Sequence, residues 1–73
     1  MRAFKNGQRI EVVKPQSRKR AIKGWTGTIL QTRMANKAWA IMDQDLPADL
    51  RLPDHPEQPR RILLAATECR IAG

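Results

Sequence analysis

Apolar and polar residues alternate in short runs along this 73-residue chain, and no stretch sustains the 3.6-residue stripe of a long helix. Arg9-Ile10-Glu11-Val12-Val13-Lys14 reads as a first strand, with Ile10 and Val12 on one side and Arg9, Glu11 and Val13 on the other. Pro15 ends its hydrogen-bonding capacity, and residues 15–23 form a polar, basic connection. Gly24-Trp25-Thr26-Gly27 fits a tight bend where the backbone needs positive φ or a close approach, and leads into a second strand over 28–33. Met34-Ala35-Asn36-Lys37 makes a hairpin connection with Asn36 as its left-handed residue. A third strand follows over 38–42, with Trp39 and Ile41 sharing the face that enters the core. Residues 61–64 and 69–71 give a fourth and a fifth strand, and Ala65 to Glu68 between them has the length of one 3₁₀ turn.

Between the third and fourth strands the composition shifts. Residues 43–59 hold four prolines and five acids, with Leu46, Leu50 and Leu52 as the large apolar residues. The stretch is long for a structureless loop in so small a domain. It is either a functional loop or carries a helical turn over 47–52, and an irregular loop pinned to the core by its leucines is the favoured form. Five short strands, a long acidic loop and a tight turn before the last strand predict an all-β fold, a five-stranded SH3-like barrel spanning 1–73 as one domain.

A chain this short supports a core worth only about 3–5 kcal/mol, and small domains usually add a staple. Cys69 is the only cysteine, so no disulfide forms within the monomer, and Cys69 with the single His55 cannot supply a four-ligand zinc site. No segment approaches the length of a membrane span, and the first residues lack the apolar region of a signal peptide; a cytoplasmic location is expected.

Charge changes the picture most. The total is +7, but residues 1–37 hold ten Lys and Arg against Glu11 alone, a net of +9, while residues 38–73 hold four Arg against six acids, a net of −2. Such asymmetry points to a basic binding face for a polyanion. Lys14, Arg18, Lys19, Arg20 and Lys23 form its centre, with Arg9, Arg33 and Lys37 as further phosphate contacts. Trp25 either stacks on a base or anchors the bend between its two glycines. With one Phe and no Tyr, a stacking surface of several rings is absent, which favours contact with the backbone of a duplex or structured nucleic acid.

Enzymatic chemistry finds no foothold. His55 stands in a loop with no activated Ser or Cys, and Asp43, Asp45, Asp49 and Asp54 do not have EF-hand spacing. The acidic loop serves solubility or repels nucleic acid from the wrong face. No cofactor and no metal are expected.

Three segments carry a resemblance to the KOW and SH3-like barrel group: Gly7-x-Arg9-Ile10-x-Val12, Lys23-Gly24-x-x-Gly27-x-Ile29 and Trp39-x-Ile41-x-Asp43. Residues 65–71 resemble the closing turn and strand of that barrel. The resemblance implies the fold and a tendency to contact RNA, DNA or the machines that handle them. Gly7-x-Arg9-Ile10 and Trp25-Thr26-Gly27-Thr28-Ile29 are also similar to the opening of the plasmid-type dihydrofolate reductases, whose pore strand carries Val-Gln-Ile-Tyr. Here the matching strand is Arg61-Ile62-Leu63-Leu64, without the amide or the phenol, so that likeness extends to the fold and not to the activity. The expected function is nucleic-acid binding with low sequence specificity; the alternative is a protein-interaction module docking on an acidic partner or a nucleic-acid-processing complex.

Overall fold

A computed structural model describes residues 4–34 and 36–72; Arg2 and Ala35, which figure in the sequence reading, lie outside the described residues. Five strands form near the expected places, with β1 ending two residues early and β2 starting two residues early, inside the expected bend: β1 (Arg9–Val12), β2 (Thr26–Met34), β3 (Lys37–Met42), β4 (Arg61–Ala65) and β5 (Cys69–Ile71). All pair antiparallel in one sheet of order β4-β3-β2-β1-β5. The fold is all-β with little helix. β2, β3 and β4 make a meander, and β1 lies between β2 and β5, with Ile10 opposite Gly27 on one side and Ile71 on the other. β4 and β5 do not pair, so the ladder is an open sheet rather than the closed ring of the expected barrel.

Three 3₁₀ helices join the strands: η1 (Ser17–Ile22), η2 (Ala48–Leu50) and η3 (Ala66–Glu68). η3 is the turn expected before the last strand. η2 is a single turn in an otherwise irregular loop, with Leu46 and Leu50 buried and Leu52 half-buried, so the leucines do pin the loop. η1 replaces the plain connection expected after Pro15. It starts at Ser17 in the left-handed region (φ 46°) and drives Ile22 into the core. The hairpin connection expected around Asn36 includes Ala35 and so falls in part outside the described residues.

One core runs under the sheet, built from Ile10, Val12, Ile22, Ile29, Ala38, Ala40, Met42, Leu46, Leu50, Ile62 and Leu64. The expectation for β3 is corrected here: Ala38, Ala40 and Met42 face inward, and Trp39 and Ile41 lie half-buried on the outer face. The interior opposite Ile29 and between Ile62 and Leu64 has room for alanine rather than indole. Outside, Trp39 packs beneath the guanidinium of Arg61, 4.6 Å from the ring centroid. The two glycines around Trp25 divide the expected roles. Gly24 takes positive φ (87°), while a Cβ on Gly27 would meet the Ile41 carbonyl at 2.7 Å. Trp25 itself is half-buried against the core.

Candidate nucleic-acid interface

η1 lies across the gap that the sheet leaves open. Lys19 Nζ donates to the Leu63 carbonyl of β4 (3.0 Å) and to Glu68 Oε1 (3.0 Å), joining the edge of β4 to the turn before β5. Glu68 is buried, at 1 % exposure, and its carboxylate also accepts from the backbone N–H groups of Gln16 (3.0 Å) and Ala65 (2.9 Å). Its own carbonyl accepts from Val13 N–H (2.8 Å) and Lys14 N–H (3.1 Å). Burial pushes the Glu68 carboxyl up, but the bonds from Ala65, Gln16 and Lys19 outweigh it and hold it below its ordinary value.

This hub fixes where the basic residues go. Lys14, Arg18, Arg20 and Lys23 stand exposed along the turn that wraps the hub, and among the described residues none has a carboxylate partner. Lys37 opens β3 opposite Ala65, whose N–H is on Glu68, and Ala66 N–H donates to the Asn36 carbonyl (2.7 Å). The hairpin end and η1, through Lys19, therefore both meet the β4–η3 region. Arg33 is exposed farther along β2, where Thr32 N–H donates to Asn6 Oδ1 (3.3 Å).

Two of the expected contacts are placed otherwise. Lys19 points inward to Glu68 and is a structural cation. Arg9 lies on the outer face of β1, forked onto Asp43 through Nη1–Oδ1 (2.8 Å) and Nη2–Oδ2 (2.6 Å), with Nη1 also donating to Thr28 Oγ1 (2.9 Å). The Arg9 fork, with a further hydrogen bond from Thr26, holds the Asp43 carboxyl well below the usual carboxylate range. Trp25 sits where bend and core meet, its N–H on the Ile22 carbonyl and its own carbonyl accepting from Val12 N–H.

Arg9 with Asp43, Lys19 with Glu68, Arg60 with Asp45 and Arg70 with Glu11 are ion-paired. Sequence reasoning missed these partnerships, because the residues joined are 34, 49, 15 and 59 positions apart and no local spacing marks them. The His55 ring lies 3.6 Å from Glu57, and no group of three or more metal-ligating side chains gathers among the described residues. Burial raises the Cys69 thiol to about 12, with the Glu68 charge adding to it, so it is not an activated nucleophile. Among the described residues, no helix is long and apolar enough to cross a membrane. Comparison with protein-family models, with curated proteins and with solved structures finds no match to this chain, and the reading of this surface rests on its geometry and charge.

Proposed function

We propose that this protein binds nucleic acid through its phosphate backbone, with low sequence specificity, using Lys14, Arg18, Arg20 and Lys23 around η1 and Lys37 of β3. The observation that carries the reading is the separation of cations into two sets. Arg9, Lys19, Arg60 and Arg70 pair with carboxylates of the same chain, at the surface except at the Glu68 hub, while the exposed cations of the η1 turn have no carboxylate partner among the described residues. Exposed cations gathered within one turn of a small domain attract polyphosphate by releasing its condensed counterions, an effect that needs no base contact. The meander, the β1–β5 pairing and the 3₁₀ turn before β5 support placing the domain with the SH3-like barrels of the KOW group.

Fluorescence anisotropy with labelled duplex DNA, a single strand and a structured RNA tests the reading. Arg18→Ala with Arg20→Ala should weaken binding about tenfold or more, equally for every sequence, because lost phosphate contacts act uniformly. Absence of binding to all three at 50 mM salt would sink the proposal.

A further inference from the structure

Along its free edge β4 offers a different kind of recognition. Arg61 N–H turns outward to the Gln58 carbonyl, the Leu63 carbonyl outward to Lys19, and Ala65 N–H outward to Glu68. Residues 61, 63 and 65 thus direct their backbone groups away from β3, and 62 and 64 bond to it. Two of the outward groups, the Leu63 N–H and the Arg61 carbonyl, have no partner among the described residues. Leu63 borders a groove of about 520 Å³ between η1 and the η2 segment, with Leu52 beside it on the floor and the exposed Arg18, Arg51 and Asp49 at the rim; the Arg61 carbonyl lies on the same edge, one residue beyond Ile62 of that lining.

A donor and an acceptor two residues apart on one edge are the pair that a single residue of a parallel strand engages, its N–H on one and its C=O on the other. An antiparallel strand would need both groups of Leu63, and Lys19 already holds that carbonyl. A phosphodiester backbone satisfies only the donor, since phosphate oxygens accept and do not donate. The rim carries two arginines against one carboxylate, and Arg51 is held in place by its Nε bond to the Leu46 carbonyl (2.8 Å).

We infer that this groove binds an extended acidic peptide, added to β4 as a parallel strand with alternate apolar side chains on the leucine floor and its acids toward Arg18 and Arg51. The inference does not rest on nucleic-acid binding; it uses the β4 edge and Arg51, outside the cations assigned to phosphate except for Arg18.

The test is a titration of the isotope-labelled full chain with a seven-residue capped peptide of alternating valine and glutamate. The Leu63 amide should move downfield and exchange more slowly as the peptide binds. A peptide N-methylated at its central residue, which removes the donor to the Arg61 carbonyl, should bind at least tenfold more weakly, and so should a valine–lysine peptide. A nitroxide on the peptide N-terminus should broaden resonances near Arg60 more than those near Lys19. An unmoved Leu63 amide at millimolar peptide, equal binding of the N-methylated or the lysine peptide, or shifts confined to the separate groove around Leu30 and Ile41 would overturn the inference. These arms use the unaltered protein, so none depends on a variant folding.

Discussion

A carboxylate removed from water needs its donors supplied by the protein, and Glu68 finds two backbone N–H groups and one ammonium from three separate segments. Truncating it strands Lys19 and two amides at once, and loss of one partner of a buried pair costs about 3–5 kcal/mol. Glu68→Ala should therefore leave the chain largely unfolded at room temperature by circular dichroism. Because the folded carboxyl is held below its unfolded value, its contribution is present above about pH 4.3 and is lost as pH falls through the folded value. Urea midpoints should fall as the pH drops below about 4.3, and Glu68→Gln should flatten that fall. Lys19→Met and the Arg18→Ala, Arg20→Ala pair make a further contrast. The first should lower the urea midpoint, and the second should leave the unfolding free energy within about 0.5 kcal/mol of the parent while weakening DNA binding.

At the scale of elements, β-branched alternation and glycine placement made all five strands legible, because strands depend on short-range pattern. Which face of β3 turns inward was not legible. Alternation groups Trp39 with Ile41 and Ala38 with Ala40, but the choice between the groups is made by the space left beside Ile29, Ile62 and Leu64. η1 was hidden for another reason: three adjacent cations look like a solvated loop, and Ile22 alone marks its buried side. Ile22→Ala should cost about 2–5 kcal/mol by leaving a cavity under the turn, comparable to all the stability a chain this size has, and the thermal transition should be nearly lost. Gly27→Ala should cost about 1–3 kcal/mol, since the new methyl meets backbone atoms of β3, and chemical denaturation would measure it.

For the whole molecule, the charge asymmetry read from composition is partly neutralised within the chain, where Arg9 and Lys19 pair with Asp43 and Glu68. Composition counts cations without saying which are consumed internally, and long-range pairings such as Arg70 with Glu11 can be seen only once the sheet is assembled. On the proposed function, Lys14, Arg18, Arg20, Lys23 and Lys37 set the salt dependence: log K against log salt should have a slope of about −4 to −5 on duplex DNA, measured by anisotropy. A slope near zero would remove the phosphate contacts from the account.

The seam closed by Lys19 and Glu68 also dictates an order of events in time. The β2–β3 hairpin closes over a few residues, whereas β5 reaches β1 across almost the entire chain, as in the 59-residue separation of Arg70 from Glu11. Bringing distant segments together costs loop entropy before any contact compensates for it. The meander is thus the natural nucleus, and the clasp of β1, η1, η3 and β5 forms after the barrier. Weakening the clasp, as Lys19→Met does, should speed unfolding in stopped-flow mixing and leave the refolding rate almost unchanged. The same junction that anchors the basic turn would then govern how long the folded molecule lasts rather than how quickly it forms.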